Sequence, residues 1–311
     1  MGGNGIDLSV TLGKIKLKNP VIPAAGTFGY GEEFAAFINL NDLGAIIPKC
    51  VTLEPRLGVS EHRSLEIAGN CKMNTIGLQN VGMERFLKDK LPYLRQFDTP
   101  VIANIGGVSI EEYARVAEIL GKTEGIGGIE INISCSNVKK GGITFGKDPD
   151  TVYQVVKAVR EVTDLTIMPK LTPNVTDITV FGKACEEAGA DAVSLINGIG
   201  PGMAIDIHTR RSRLGENLTA SLGGPWLKPL AVRLVWQLAQ ILKIPVVGIG
   251  GIMGAEDALE FFIAGATAVE IGTASLIDPQ VTIKTIDGIG KFLEDEKISS
   301  LGDIIGSFKA P

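Results

Sequence analysis

The chain reads as an α/β protein, a single (β/α)8 TIM barrel over residues 1–311 with a short N-terminal β-hairpin. Three observations lead there. Eight short apolar runs recur along the sequence, and seven of them are followed by a stretch that suits a helix. No proline- or serine-rich linker and no break in composition divides the chain. Glycine is abundant at 39 residues while aromatics make up only 5%, a balance that suits many tight βα turns better than an aromatic-packed sandwich.

Residues 8–17 alternate polar and apolar side chains, the period-two pattern of a hairpin that would plug one end of a barrel. The eight runs are 21–24, 45–47, 101–103, 128–133, 166–168, 192–196, 246–249 and 268–271. Helices are predicted over 109–120, 149–162, 176–188, 226–242 and 255–264. Ser109 with Glu112 three residues on, and Asp148 ahead of Pro149, have the chemistry of helix N-caps. Gly189 and Gly265 follow helical stretches, where a left-handed residue is expected. A doubly wound sheet would want Gly-x-Gly-x-x-Gly after its first strand, and Pro23-Ala-Ala-Gly-Thr-Phe-Gly29 does not supply it.

Active sites of such barrels lie at the carboxyl ends of the strands. The runs end, in order, in Ala24-Ala25-Gly26, Lys49-Cys50, Asn104, Asn132, Lys170, Asn197, Gly250-Gly251 and Gly272-Thr273. Two lysines, three asparagines and two glycine turns thus share one rim. The fourth run continues through Ser134-Cys135-Ser136-Asn137 into Lys139-Lys140-Gly141-Gly142, a composition suited to a loop that opens and closes over the site.

Composition excludes several classes. A formal charge of −5 argues against a general nucleic-acid binder. The densest basic run, residues 208–213, reads as a solvated loop, near the site mouth or a partner. Cys50, Cys71, Cys135 and Cys185 are widely spaced with no Cys-x-x-Cys, so neither a disulfide framework nor a zinc or iron–sulfur site is expected. No stretch has the length of a membrane span, and the first 18 residues lack a signal-peptide core; a cytoplasmic protein is expected.

Glycine turns in the last two βα units suit a phosphate, which backbone N–H groups can approach closely. Asparagine amides offer both a donor and an acceptor, matching a flavin or pyrimidine edge. Together they fit flavin mononucleotide (FMN), with Lys170 placed to offset charge that develops on reduction and Lys49 as counter-charge to a substrate carboxylate. His62 and His208 fall at no strand end, which leaves Cys135 as the leading general base, against the reading of a buried structural thiol. A flavin-free alternative is a phosphosugar isomerase or aldolase with Lys170 as Schiff-base nucleophile.

Asn132-Ile-Ser-Cys135-Ser-Asn137-Val-Lys139-Lys-Gly141-Gly142, followed by Phe145-Gly146-Lys-Asp148-Pro149, resembles the signature of class 1 dihydroorotate dehydrogenases, most closely the type 1B catalytic subunit. Asn74-Thr-Ile-Gly-Leu-Gln-Asn80, Lys170-Leu-Thr-Pro-Asn-Val-Thr-Asp-Ile178, Gly223-Gly-Pro-Trp-Leu-Lys-Pro229 and Gly248-Ile-Gly-Gly251 extend the resemblance over nearly the whole chain. It implies oxidation of dihydroorotate in pyrimidine biosynthesis. A proton leaves C5 towards Cys135, and a hydride leaves C6 for flavin N5. On the same resemblance, Lys49, Asn74, Thr75, Ile76, Gly77, Leu78, Asn132, Asn197 and Gly198 match substrate positions, with Lys49 also counted beside Cys135 in the catalysis. Ala25, Lys49, Cys50, Asn104, Asn132, Lys170, Ile196, Gly224, Gly250, Gly251, Gly272 and Thr273 match flavin positions, and no metal site is implied. It also implies a homodimer that pairs, as a heterotetramer, with a subunit carrying FAD and a [2Fe–2S] cluster, which passes electrons to NAD.

The chain departs from that family at Ser136, where proline is usual, at Gly198 for threonine, at Trp226 for alanine, and at Val81 for proline. Pro48 and Pro169 precede the two rim lysines, where a missing ladder donor is tolerable only near a strand end. Gly198 and Trp226 leave open a second reading, a flavin oxidoreductase of the same family acting on another dihydropyrimidine or cyclic imide.

Overall fold

A computed structural model describes residues 5–59, 63–133 and 145–310. Its first two strands, β1 (Val10–Leu12) and β2 (Ile15–Leu17), pair antiparallel as the alternation predicts. Leu12 and Leu17 point into the core, and the Lys14 N–H donates to Thr166 Oγ1 at 2.9 Å. The hairpin therefore seals the amino-terminal end of the barrel, opposite the rim.

The chain continues through β3 (Val21–Pro23), β4 (Ser64–Ile67), β5 (Cys71–Asn74), α1 (Gly82–Arg85), α2 (Leu91–Leu94), β6 (Ile102–Ile105) and α3 (Ile110–Gly121). Then come β7 (Gly128–Asn132), α4 (Pro149–Arg160), β8 (Thr166–Leu171), α5 (Ile178–Glu187), β9 (Val193–Leu195), β10 (Ile199–Gly202) and β11 (Ala220–Gly223). The last elements are α6 (Lys228–Ala239), β12 (Val246–Ile249), α7 (Ala255–Ala264), β13 (Ala268–Ile271) and α8 (Val281–Asp295).

Seven parallel strands form one curled sheet in the order β3-β13-β12-β9-β8-β7-β6. Their residues are almost all buried, because the barrel core covers one face and the helices the other. The second run, expected at 45–47, closes the ring without becoming a full strand. Gly44 N–H donates to Val21 O, while Ile46 pairs with Val101 and Val51 with Ile105 as isolated parallel bridges. Alternate residues of a parallel strand bond to the same neighbour, so Pro48 falls where the next N–H is needed and cannot provide it. The backbone bulges between the two bridges and carries Lys49 and Cys50 to the rim. Pro169, by contrast, lies inside β8 rather than beyond its end, paired with Ile131.

The expected caps form. Ser109 Oγ accepts from Glu112 N at 3.2 Å while Glu112 accepts from Val108 N at 2.7 Å, and Asp148 accepts from Thr151 N at 3.0 Å. Gly265 closes α7 with φ +114°. The stretch predicted as one helix over 226–242 divides into a tight turn at Pro225–Leu227 and α6, since Pro229 fits only the first turn of a helix.

One feature is absent from the sequence expectations: an antiparallel sheet, β10-β11-β5-β4, standing over the rim. Two of its strands come from the connection after the second run and two from the connection after β9. Its residues are mostly half-buried.

Candidate active site

Side chains alternate along a strand, so Glu130 and Asn132 of β7 face the same way, into the barrel. Asn104 of β6 pairs with Glu130, and Lys170 of β8 pairs with both Asn132 and Ser194 of β9. Lys170 Nζ lies 2.7 Å from Glu270 Oε2 and 3.3 Å from Glu130 Oε1. Glu130 also accepts from Asn104 Nδ2 at 2.6 Å and from Ser194 Oγ at 2.8 Å. Burial works against the Lys170 ammonium, but Glu130 and Glu270 outweigh it and hold its pKa up at about 12. Lys170 is therefore a fixed cation, unsuited to act as an amine nucleophile.

Burial would raise the Glu130 carboxyl as well, yet Lys170 and the hydrogen bonds with Glu270, Ser194 and Asn104 keep it below the usual carboxylate range. Glu270 goes the other way. Burial first, and then repulsion from Glu130, push it well above that range.

Nearer the rim, Asn197 Nδ2 donates to Asn132 Oδ1 at 3.2 Å, and Tyr113 OH donates to the Asn132 carbonyl at 2.7 Å. Asn197 Oδ1 in turn accepts from Gly198 N at 2.9 Å. Asn104 Oδ1 is buried with no hydrogen-bond partner among the described residues, so an acceptor is left open in a residue that lines the barrel mouth. Lys49 is half-buried, and burial lowers its pKa, with Glu33 opposing and Arg63 adding to the effect.

Two adjoining cavities open at the strand ends. The larger, ≈ 340 Å³, is lined by Ile196, Gly198, Gly224, Gly250, Gly251, Gly272 and Thr273 among the sequence-predicted residues. The smaller, ≈ 160 Å³, is lined by Ala25, Lys49, Cys50, Leu78, Asn104 and Asn132. Asn74, Ile76, Lys170 and Asn197 line both. Thr75 and Gly77 line neither: Thr75 is buried, with its N–H on the Arg63 carbonyl, and Gly77 packs beside Val59. Cys135, Ser136 and the loop to Gly142 lie outside the described residues, as does His62. Trp226 is 45% exposed and lines neither cavity. Residues 208–213 form an exposed turn in which Asp206 accepts from His208 N and Thr209 N, in the excursion between β10 and β11.

The larger cavity has a floor that only glycine permits. Gly250 and Gly251 have φ of +119° and +79°, and a Cβ on Gly251 would stand 2.4 Å from Lys228 N. Gly272 opens the turn Thr273–Leu276, and a Cβ on Gly223 would stand 2.9 Å from Thr273 Oγ1. Bare backbone around an open space is what an anion such as a phosphate requires.

Sequence reading missed two groups. Ser64, Lys72 and Leu222, from the antiparallel sheet, line the larger cavity, and only the short alternation Ser-Leu-Glu-Ile at β4 signalled that sheet. Glu130 and Glu270 carried a clearer sign, since each is a lone carboxylate inside an apolar barrel run, Gly-Ile-Glu-Ile-Asn and Ala-Val-Glu-Ile.

Comparison with known proteins bears on the same features. A family profile described as dihydroorotate dehydrogenase matches residues 7–293. The chain is 50% identical over 301 residues to a protein of Geotalea uraniireducens named "Dihydroorotate dehydrogenase B (NAD(+)), catalytic subunit", covering 97% of this chain and 98% of that one. Proteins of the same name from Geobacter metallireducens and a Thermoanaerobacter species are 51% and 49% identical, again over at least 97% of each chain. Among solved structures, DHODH of Eimeria tenella in complex with ferulenol superposes with a TM-score of 0.79 at 21% identity, over 97% of this chain and 88% of that one, a likeness of fold. Half the residues shared along almost the full length, on a barrel of the same fold, make the chain a member of the dihydroorotate dehydrogenase family.

Proposed function

We propose that this chain is a catalytic subunit that oxidises dihydroorotate to orotate in pyrimidine biosynthesis, with FMN as its resident cofactor. The observation that carries this reading is the pair of adjoining cavities, one floored by bare glycine backbone and one lined by amides, with Lys170 lining both. The residues present fit FMN. Gly250, Gly251 and Gly272 leave backbone room for its phosphate, and the unpartnered Asn104 Oδ1 offers an acceptor to the ring. Lys170 would sit against the ring where negative charge gathers. When bound, FMN supplies the acceptor for the hydride from C6 of the substrate.

The chain's own residues supply the rest. Asn74, Asn132 and Asn197 present amides to the pyrimidine, and Lys49 sets a positive charge opposite its carboxylate. Cys135 takes the C5 proton, an assignment that rests on the sequence motif alone. We assign FAD and the [2Fe–2S] cluster to a partner subunit that passes electrons to NAD, with this chain as a homodimer at the centre of a heterotetramer. A relative's name, "catalytic subunit" with NAD(+), supports the partner. Residues 1–311 serve as one domain in this reading, and the spaced cysteines favour the cytoplasm. Among the described residues no helix is long and apolar enough to cross a membrane.

Anaerobic addition of dihydroorotate to the purified, FMN-loaded protein tests the reading. Rapid bleaching of the flavin absorbance, slowed at least a hundredfold in Cys135→Ala, is the expected result. A yellow protein that dihydroorotate leaves oxidised would turn the assignment to another dihydropyrimidine, for which Gly198 in the cavity wall is the motivating difference. A protein that takes up no FMN would remove the flavin assignment itself.

A further inference from the structure

Beneath the two cavities, among the described residues, the barrel encloses one ammonium and two carboxyl groups, contributed by β8, β7 and β13. Glu130 and Glu270 have no exposed surface, and Lys170 is buried between them. Two carboxylates against one ammonium would bury a net negative charge, at a cost of several kcal/mol even after relaxation. The environments of the two acids differ in a way that resolves this. Glu130 accepts hydrogen bonds from Asn104 and Ser194 as well as the ion pair from Lys170, enough to hold an anion. Glu270 has only the ion pair with Lys170, through Oε2, and a hydrogen bond with Glu130, and its Oε1 is buried with no partner among the described residues. An unsolvated oxygen costs far less on a neutral acid than on a carboxylate.

We propose that Glu130 and Glu270 share a single proton, held on Glu270, so that the triad with Lys170 carries no net charge, and that the pair are positioning residues which set, through Lys170, how far the barrel favours a reduced flavin. The direction of the Glu270 shift, driven by burial and by Glu130, agrees. The inference rests on the reading that FMN seats against Lys170. Reduction adds negative charge to the ring facing that ammonium, so the net charge of the triad bears directly on the reduction potential.

The shared proton has a distinctive consequence. With either acid replaced by glutamine, the other can ionise beside Lys170, and the triad stays neutral. Only the double replacement removes both carboxyl groups from beside Lys170 and raises the charge of the triad. Reduction potentials of the bound flavin in wild type, Glu130→Gln, Glu270→Gln and the double variant test this. The singles are expected within twofold of wild type in the ratio of reduced to oxidised flavin at fixed potential. The double variant is expected to favour reduction by more than tenfold, about 30 mV for two electrons. Equal upward steps in the two singles, adding in the double, would show two buried negative charges and overturn the proposal. A double variant with unchanged potential would overturn the role through Lys170.

Infrared spectroscopy keeps the test independent of the double variant's folding and of flavin. Wild type should show the C=O band of one buried, protonated carboxylic acid, lost in each single variant. Its absence from wild type sinks the shared proton. A failure of every variant and of wild type to bind FMN would instead count against the proposed function.

Discussion

The barrel and the antiparallel sheet over its mouth are both β-structure, yet they are built on opposite terms. Strands β6 and β12 are buried along their whole length, with every residue packed between core and helices. Strands β4 and β10 are half-exposed throughout, and Cys71 and Met73 are the only buried residues of β5. The barrel supplies the fixed groups of the site: Lys170 and its acids, Asn132, and the glycine floor. The sheet supplies a wall, through Ser64, Lys72, Asn74 and Leu222. A site assembled this way has a base held by the barrel core and a side face held by its ladder and a small apolar cluster around Met73, Leu214 and Ala220.

The sharpest test of that contrast is Lys170→Met. It leaves Glu130 and Glu270 facing each other with no cation, and breaking a buried pair by removing one partner costs about 3–5 kcal/mol. A fall of that size in the free energy of urea unfolding is expected, and a loss under about 1 kcal/mol would show that the acids are not held by Lys170. Gly251→Ala also strikes the barrel side. Its φ of +79° and the contact with Lys228 N predict a loss of at least about 2 kcal/mol, with weakened retention of FMN on dialysis.

At the seam between the two regions, a Cβ on Gly198 would meet Ser221 Cβ at 2.9 Å. Gly198→Thr should therefore press β11 outward, raising KM for dihydroorotate several-fold at a stability cost of about 1–2 kcal/mol. Ser221→Gly in the same chain is expected to restore KM; if it does not, the contact is not the cause. A pH profile separates the regions without a large mutational effect. Burial lowers the pKa of Lys49, so its charge is lost at a lower pH than the ~10.4 of an ordinary lysine. On the proposed role, in which the protonated form holds the substrate carboxylate, kcat/KM should decline on the alkaline side below that range, and Lys49→Arg should move the decline to higher pH. An alkaline limb identical in the two proteins would assign it to another group. The smallest effect lies far from the site: Ser109→Ala removes one cap of α3 and is expected to cost about 1 kcal/mol in urea titration with kcat unchanged.

The same contrast decides what could be read from the sequence. Strands buried on both faces need unbroken apolar runs, so the barrel, its order and the rim residues at each strand end were visible. The second run misled only in form, because its alanine and isoleucines look like any other strand while Pro48 removes the donor that would make it one. The wall could not be read, since strands of four half-buried residues, one of them Ile-Gly-Pro-Gly, resemble turns. Thr75 and Gly77 were drawn in with their neighbours, yet alternation sends Thr75 into the protein, away from the cavities. Glu130 and Glu270 were legible and passed over: attention to the carboxyl ends of strands hides a charge placed one layer deeper.

The pairing of β5 with β11 has a bearing on how the protein is made. Ser221 sits beside Asn74, so a strand translated early waits for one translated after most of the barrel strands have emerged. Closing so long a loop carries a large entropic cost before its contacts form, which places the wall among the late events of folding. Until then β5 presents a free edge to other chains. Nascent or heat-stressed protein should thus be most vulnerable to aggregation at Cys71–Asn74, and pulse-labelled amide exchange during refolding should find those amides protected after the amides of β7 and β8.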